Sequence, residues 1–249
     1  MSNFIHPHWQ SYLSQLKDIN LDNFLQNSII KKTMYPLCVE WAKPRLEYLE
    51  SRVEQKELKR LLKIPLVCGA QITNDKYQTD DNTISHLYHI KFWEEKTANK
   101  IQDVKSIIEW GGGYGNLCRI IRMINTDCEY TIFDFEQICK IQNSYITCFY
   151  ICNGVSILKA KSIKLKFIDN EYFKCNDFNC DLFISTWALN ESSLDAVKCV
   201  IGNLDTNKFL LTYYKGEMFE ESATLIESGL SNCTRYDCLG LPCNYYLVR

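Results

Sequence analysis

A glycine-rich run that directly follows an apolar stretch constrains the fold of this chain more than any other feature. The run occupies residues 109–115 and reads Glu-Trp-Gly-Gly-Gly-Tyr-Gly, after the apolar residues of 104–108. A buried strand that turns sharply into a helix needs glycine where φ is positive and where a ligand lies against bare backbone. The apolar residues of 117–124 then recur at helical spacing. The pattern therefore predicts a strand, a ligand-binding turn and a helix, with the turn made by Gly111, Gly113 and Gly115.

The spacing of the glycines is compatible with three kinds of turn. It fits E/D-x-G-x-G-x-G, the loop of S-adenosylmethionine-dependent methyltransferases, at every position. It also supplies the first two glycines of the dinucleotide-binding pattern G-x-G-x-x-G, whose third glycine would fall on Asn116. The third kind is a tight turn with no ligand. Four glycines in five residues, with an acid ahead of them, favour a cofactor loop in which Glu109 accepts hydrogen bonds from the amino group of a methionine moiety.

A second predicted strand brings another acid to the same edge of the sheet. Residues 129–135 read Glu-Tyr-Thr-Ile-Phe-Asp-Phe, and the β-branched and aromatic residues in this segment favour a strand. Asp134 stands at the end of that strand, about 20 residues past the glycines, where an acid binds ribose hydroxyls in such folds. Methyltransferases and dehydrogenases both use this acid, so it does not separate them. A solvated or capping aspartate is the alternative.

The remainder of the chain predicts further strands separated by helical patterns, which is the βαβ signature. The candidate strands lie at 163–168, 181–186, 208–214, 234–239 and 245–248. The last two must be antiparallel because the connection between them is too short for a parallel crossover. Nicotinamide-binding sheets continue parallel instead. The predicted fold class is therefore α/β, a Rossmann-like sheet of seven mostly parallel strands with an antiparallel last strand, preceded by an N-terminal helical segment.

Residues 1–100 are predicted to form that helical segment and residues 101–249 the cofactor-binding domain. Helical patterns cover 21–34, 38–62 and 83–98. Prolines punctuate these helices, at Pro36, Pro44 and Pro65. Helices ahead of such a domain commonly fold over the strand ends. We therefore expect this segment to act as a lid and to form the wall of the acceptor pocket.

Composition argues against two classes of partner. With a net charge of −2 and a pI near 6.1, the chain has no electrostatic footprint for nucleic acid or for an anionic membrane. No stretch has the composition of a signal peptide or the apolar length of a membrane span. Thirteen cysteines without a C-x-x-C motif, several of them inside apolar patterns, indicate buried thiols, as at Cys118, Cys139 and Cys199. We expect a soluble, cytoplasmic protein in a reducing compartment.

Four segments together resemble the sugar O-methyltransferase family, which is found often in surface-polysaccharide gene clusters. They are 86–89 (His-Leu-Tyr-His), 108–117 with the glycine run, 130–134 (Tyr-Thr-Ile-Phe-Asp) and 181–192 (Asp-Leu-Phe-Ile-Ser-Thr-Trp-Ala-Leu-Asn-Glu-Ser). The glycine loop alone specifies the cofactor, whereas the Ser-Thr-Trp-Ala-Leu block points to this family. Trp110 stands where a smaller aliphatic residue is commoner and Asn190 where serine is expected. The first 80 residues match none of the family's motifs.

The resemblance implies S-adenosylmethionine as cofactor and a sugar hydroxyl as acceptor, in a nucleotide sugar or a glycan residue; a homodimer is compatible with it. The predicted cofactor site comprises Glu109, Gly111, Gly112, Gly113, Tyr114, Gly115, Asn116, Asp134, Phe135, Asp169, Asn170 and Thr186. Within that site, Asp169 and Asn170 follow the third strand, where they can bind the adenine amino group. The predicted acceptor contacts are His86, Trp187, Asn190 and Glu191.

Methyl transfer to a hydroxyl also benefits from a general base, which typically contributes roughly 10²- to 10⁴-fold in rate. His86 and His89 lie three residues apart, so they project from one face of the predicted helix, and histidine has a suitable unperturbed pKa. Glu191 is the other candidate base. Packing or capping is the alternative for each of the three. A magnesium-assisted mechanism is compatible with the residues present, although nothing in their spacing requires a metal.

Three classes of function therefore stay open at this point. The first is an O-methyltransferase of a sugar, with a non-sugar small molecule as the nearest variant. The second is an NAD-dependent oxidoreductase, and the third is a non-catalytic protein that binds a cofactor.

Overall fold

A mixed sheet of seven strands lies at the centre of the fold. The computed structural model describes residues 5–152, 163–168 and 178–249. The strands are β1 Ser106–Trp110, β2 Glu129–Asp134, β3 Ile163–Phe167, β4 Leu182–Thr186, β5 Phe209–Tyr214, β6 Thr234–Asp237 and β7 Asn244–Val248. Their order across the sheet is β3-β2-β1-β4-β5-β7-β6. Strands β1 to β5 pair in parallel, and β7 is antiparallel to both of its neighbours. The predicted fold class is confirmed, including the antiparallel last strand.

The strand order has a switch point between β1 and β4. From β1 the chain adds β2 and then β3 on one side, and it then crosses over to build β4 and β5 on the other side. In open α/β sheets, ligands bind in the crevice at the carboxyl ends of the strands at such a point. The residues that end β1 and β4 therefore mark where a site is expected.

Strand β1 ends later than the sequence pattern predicts. It runs into the glycine motif as far as Trp110, which pairs with Phe133 of β2. The two rings stack with centroids 6.2 Å apart, and the Trp110 indole N–H donates to Ser192 Oγ at 3.0 Å. A large aromatic residue is accommodated here because it is buried between the neighbouring strand and the segment after β4.

Among the described residues, five helices precede β1 in the chain and four alternate with the strands after it. They are α1 Pro7–Gln15, α2 Ser28–Thr33, α3 Val39–Glu50, α4 Gln55–Leu62, α5 Asp81–Thr97, α6 Asn116–Ile124, α7 Glu136–Cys152, α8 Leu194–Asn203 and α9 Glu220–Gly229. Helix α3 packs against α5, and α5 packs against α6, which follows the glycine loop. The hydrophobic core is continuous from Leu13 to Val248, so the helical segment and the sheet share it.

The N-terminal helices are shorter and more numerous than predicted. The helix expected at 21–34 is replaced by a 3₁₀ turn and by α2, because the Asn27 side chain accepts hydrogen bonds from the amides of Ile29 and Ile30 and so caps a new helix. The helix expected at 38–62 is divided in the same way, with Glu54 capping α4 through the Glu57 amide. Asparagine and glutamate side chains that bond the backbone in this manner start helices, which a purely apolar periodicity does not reveal.

Two other features of this part of the chain were not predicted. Pro44 does not interrupt its helix but lies inside α3, where it removes one backbone hydrogen bond. Helix α1 was not expected at all, since only Leu13 of its residues is buried and its apolar periodicity is weak.

The cysteines differ from expectation at one position. Cys118 and Cys139 are buried thiols, as predicted. Cys199 takes part in a disulfide and is only half-buried on α8. Val197 and Val200 face the core on that helix, and Cys199 lies at a different angle around the axis, so apolar neighbours in sequence did not imply burial. Because Cys199 is in a disulfide, the reducing compartment stays a prediction.

Within the described ranges, no helix combines the length and the apolar character needed to cross a bilayer.

Candidate functional site

A cavity of about 440 Å³ opens at the switch point of the sheet. Its floor is formed where β1, β2 and β4 end, by Glu109, Asp134 and Thr186, and by the glycine loop. Its opposite wall comes from the first hundred residues, which contribute Trp9, Trp41, Arg45, Ser85, His86 and His89. This volume is in the range of small-molecule sites, about 300–1,000 Å³. Residues of the first hundred and residues at the strand ends therefore line the same cavity, whereas the lid role of the helical segment stays a prediction.

The glycine loop has the backbone conformation that its sequence predicts. Gly111, Gly113 and Gly115 have φ values of +74°, +53° and +94°. A Cβ on Gly111 would lie 2.0 Å from the Cβ of Ala188, so this glycine permits close packing against the turn after β4. At Gly113 the nearest atom to such a Cβ would be 3.8 Å away, on Met34, which also lines the cavity. A Cβ at Gly113 would therefore make only ordinary van der Waals contact with Met34, so what requires glycine here is the positive φ.

Glu109 lies buried beneath the loop, with 1% of its surface exposed. Its Oε2 atom accepts a hydrogen bond of 2.9 Å from the Tyr130 hydroxyl. Burial raises the pKa of Glu109 to about 8, the Tyr130 hydrogen bond opposes that rise, and the nearby charge of Asp134 adds to it. A cation bound beside Glu109 would favour the ionised carboxylate, because it would supply the missing counter-charge.

Asp134 ends β2 and is held by a residue that the sequence patterns did not single out. Its Oδ2 accepts from the Gln142 side-chain amide at 2.8 Å, and its Oδ1 accepts from the Phe135 backbone N–H at 2.9 Å. The same Gln142 amide donates to the Gly113 carbonyl at 3.0 Å. Gln142 thereby fixes the carboxylate relative to the loop. A polar residue on the apolar face of the helix at 136–152 is the signal that could have identified it.

His89 is fully buried on α5 and lines the cavity. Its Nδ1 atom forms a hydrogen bond with the Tyr246 hydroxyl, whereas its Nε2 atom has no partner in the described part of the chain. Burial lowers the pKa of His89 well below its ordinary value, and the charge of Arg45 lowers it further. A buried polar atom without a partner calls for an explanation, and a ligand in the cavity would provide one.

His86 has a tautomer that its neighbours determine. Asn116 Oδ1 accepts from Arg119 and from the Tyr145 hydroxyl, so the Asn116 amide nitrogen must be the donor at 3.0 Å from His86 Nδ1. The neutral ring therefore carries its proton on Nε2. Burial lowers the pKa of His86 to about 3, with the charges of Arg119 and Arg45 contributing. His86 can donate a hydrogen bond from Nε2 but is poorly suited to accept a proton there.

Glu191 and Trp187 follow β4 and line the cavity opposite α1. Glu191 Oε2 accepts a hydrogen bond of 3.2 Å from the Trp9 indole, and burial raises the pKa of Glu191 to about 7 against the effect of that bond. Trp187 has a φ of +65°, which is strained for a bulky residue, and its indole N–H donates to Asn244 Oδ1 at 2.6 Å. Strain of this kind clusters at functional sites.

The remaining predicted site residues fall into three groups. Tyr114, Phe135 and Gly112 line the cavity as well. Three others do not line it: Gly115, Asn116 and Asn190. Asn190 instead accepts from the Tyr214 backbone N–H at 3.0 Å and donates to Ser222 Oγ at 2.9 Å, which ties β5 to α9. Its role as an acceptor contact stays a prediction. Asp169 and Asn170 lie outside the described residues. No cluster of three or more His, Cys, Asp or Glu side chains that could hold a metal occurs in 5–152, 163–168 and 178–249.

Comparison with known proteins identifies no family for this chain. No protein-family model and no curated protein sequence matches the chain. Mitomycin 7-O-methyltransferase MmcR is similar in structure, with 10% identity, 95% of this chain and 74% of that chain covered, and a TM-score of 0.45. Human N-acetylserotonin methyltransferase in complex with SAM has 12% identity, 90% and 74% coverage, and a TM-score of 0.41. PigF with SAH has 11% identity, 66% and 56% coverage, and a TM-score of 0.41, so the chain spans little more than half of PigF. Similarity at this level transfers no activity or substrate.

Proposed function

We propose that this protein is an S-adenosylmethionine-dependent O-methyltransferase whose acceptor is a sugar hydroxyl, in a nucleotide sugar or a glycan residue. One observation carries the cofactor assignment. A loop of positive-φ glycines lies between two buried carboxylates, Glu109 and Asp134, on the wall of a cavity at the switch point of the sheet. The sugar acceptor is supported by the sequence resemblance. The antiparallel β7 counts against the dehydrogenase alternative.

The residues on this wall fit the parts of S-adenosylmethionine. Glu109 would accept hydrogen bonds from the amino group of the methionine moiety, and Asp134 would accept from the ribose hydroxyls. Gly113, which has no side chain, lines the same cavity as these two carboxylates. Phe135 and Ile138 line the cavity beyond Asp134 and would pack against an adenine ring. When bound, the cofactor supplies a methyl group on a sulfonium centre, and the chain's own residues must then place and deprotonate the acceptor oxygen.

Glu191 is the general base that the electrostatics favour. A base works best when its pKa lies near the operating pH, and burial brings the pKa of Glu191 to about 7. Its Oε2 atom is bonded to Trp9, which leaves Oε1 to receive the proton of an acceptor hydroxyl. His89 has a pKa well below its ordinary value, and His86 carries its proton on Nε2, the nitrogen that does not contact Asn116. We assign these two histidines to orienting the acceptor.

Ligand-dependent thermal stability tests the cofactor assignment. A ligand that binds only the folded state stabilises it, by about 2.7 kcal/mol at a concentration 100 times its Kd. We expect S-adenosylhomocysteine to raise the melting temperature and NAD to leave it unchanged. Asp134→Asn should reduce the shift, because the amide presents a donor where a ribose hydroxyl needs an acceptor. A shift with NAD alone would establish the dehydrogenase alternative, and no shift with either ligand would favour a non-catalytic role.

A donor assay with a panel of acceptors tests the reaction and the substrate class. Radiolabelled S-adenosylmethionine is supplied with nucleotide sugars, oligosaccharides and phenolic small molecules, and NMR identifies the methylated oxygen. We expect methyl transfer to a sugar hydroxyl. Transfer to the phenols alone would refute the sugar acceptor and retain the methyltransferase.

A further inference from the structure

Arg45 is a buried cation on the wall of the cavity. Only 1% of its surface is exposed, although it lines the same space as the glycine loop. Its Nε and Nη2 atoms donate to the Leu239 carbonyl at 3.3 and 3.2 Å, and its guanidinium lies 5.6 Å from the centre of the Tyr88 ring. None of the ion pairs among the described residues includes it. Among the residues that the structure describes, its positive charge is therefore met by a carbonyl dipole and a ring face and by no carboxylate.

Four acids line the cavity together with Arg45, and each accepts a hydrogen bond from another residue. Asp81 accepts from Thr73 at 2.8 Å and Glu191 accepts from Trp9. Glu109 accepts from Tyr130, and Asp134 accepts from Gln142. A buried charge without a counter-ion is costly, and arginine is almost never fully buried unless it is paired. An unneutralised guanidinium that faces a ligand cavity thus indicates that the ligand brings the negative charge.

Arg45 lies at the acceptor end of the cavity and away from the proposed cofactor carboxylates. It is carried by α3, which packs against α5 with its two cavity histidines. The charge of Arg45 contributes to lowering the pKa of both His86 and His89. It does not contribute at Glu109, whose pKa responds to burial, Tyr130 and Asp134. One turn before Arg45 on the same helix face, the half-exposed Trp41 lines the cavity too.

We propose that Arg45 is the anion-binding residue of the acceptor pocket, and that the acceptor carries a carboxylate or phosphate group close to the hydroxyl that is methylated. This inference rests on the proposed function and narrows its substrate class to acidic sugars and sugar phosphates. Two donors of the planar guanidinium are held by Leu239, which fixes the orientation of the group. The Nη1 edge is left for an oxyanion, for which arginine has the matching charge and geometry.

The stability of the ligand-free protein separates this role from a structural one. A buried charge without a counter-ion carries a desolvation cost that an apolar residue of similar size does not incur. We therefore expect Arg45→Met to keep or raise the melting temperature, since the partly exposed Leu239 can have its carbonyl hydrated. A clear fall in melting temperature would indicate that Arg45 holds the chain near Leu239, and would overturn the proposal. Arg52→Met, at an exposed arginine just after α3, is the matched control.

Binding of inorganic phosphate to the protein saturated with S-adenosylhomocysteine tests the anion site directly. We expect phosphate to shift the NMR signals of the His86 and His89 rings in wild type. Affinity should fall by roughly 10- to 100-fold in Arg45→Met, as expected when a hydrogen bond to a charged group is lost, and by less in Arg45→Lys, which keeps the charge. Arg52→Met should match wild type. Equal phosphate affinity in wild type and Arg45→Met would refute the anion site.

Turnover with paired acceptors completes the test. A uronic acid glycoside, a sugar phosphate and the neutral methyl glycoside of the same sugar are compared as methyl acceptors. We expect kcat/KM to favour an anionic member by roughly 10-fold or more, and Arg45→Met to abolish that preference without weakening S-adenosylhomocysteine binding. Which anionic member is preferred distinguishes carboxylate from phosphate. Methyl transfer that is equal for neutral and anionic acceptors would refute this inference alone, whereas absence of S-adenosylhomocysteine binding in wild type would refute the proposed function itself.

Discussion

Binding of the cofactor product should release a proton from Glu109. Burial holds the pKa of this carboxyl at about 8, so at neutral pH it is mostly protonated in the ligand-free protein. The proposed partner of Glu109 is the cationic amino group of the methionine moiety, which binds the ionised form. Binding of S-adenosylhomocysteine therefore requires Glu109 to lose its proton whenever the pH is below about 8.

The size of the effect follows from that pKa. The apparent affinity for S-adenosylhomocysteine is proportional to the fraction of Glu109 that is ionised. Relative to its value well above pH 8, the affinity is therefore lower by about 10-fold at pH 7 and by about 100-fold at pH 6. Affinity thus rises as the pH is raised through the pKa of the ligand-free protein. Calorimetry in buffers of different ionisation enthalpy should count close to one proton released per ligand at pH 7.

Three variants test whether Glu109 causes this pH dependence. Glu109→Gln mimics the protonated side chain, so its affinity should be low and independent of pH between 6 and 9. Tyr130→Phe removes the hydrogen bond that lowers the pKa of Glu109, and the pH dependence should move to higher pH. Glu129→Gln, at an exposed position of β2, should behave as wild type. Affinity that is flat across this pH range in wild type, with no proton release, would show that Glu109 does not bind the amino group.

Three further predictions concern the base, the loop and its support. Glu191→Gln should lower kcat/KM by roughly 10²- to 10⁴-fold and remove the fall in rate below pH 7, while S-adenosylhomocysteine affinity persists; unchanged turnover would exclude Glu191 as the base. Gly111→Ala should lower the melting temperature and abolish ligand binding, because its Cβ would lie 2.0 Å from that of Ala188, whereas Gly202→Ala, with no atom within 4 Å, should keep both. Gln142→Leu should weaken S-adenosylhomocysteine binding by roughly 10-fold in calorimetry, since a buried carboxylate loses a donor, and wild-type affinity would refute its positioning role.

The sheet and the floor of the site were predictable because their signals are local. Runs of apolar, β-branched and aromatic residues predicted the seven strands of the described sheet, and the glycines indicated a backbone conformation that few other residues adopt. The position of Asp134 followed from the strand that carries it. Even there the boundary of β1 was missed, because the burial of Trp110 depends on Phe133 and Ser192, which are distant in sequence.

The acceptor end could not be predicted because each of its residues depends on a distant partner. Trp9 contacts Glu191 across 182 residues, His89 contacts Tyr246 across 157, and Arg45 contacts Leu239 across 194. No periodicity connects such pairs, so the sequence identified two histidines without their tautomers or pKa values. From sequence alone, Arg45 would be expected to be solvated, and only the tertiary fold shows that it is buried.

Asn116, directly after the glycine loop, forms hydrogen bonds with four side chains from three helices. It contacts Thr83 and His86 on α5, Arg119 on α6 and Tyr145 on α7. The His86 ring, which we assign to the acceptor, is therefore hydrogen-bonded to Asn116, the first residue of α6 after the glycine loop. Occupancy of either pocket is expected to alter affinity at the other, and thermodynamic reciprocity requires the two factors to be equal.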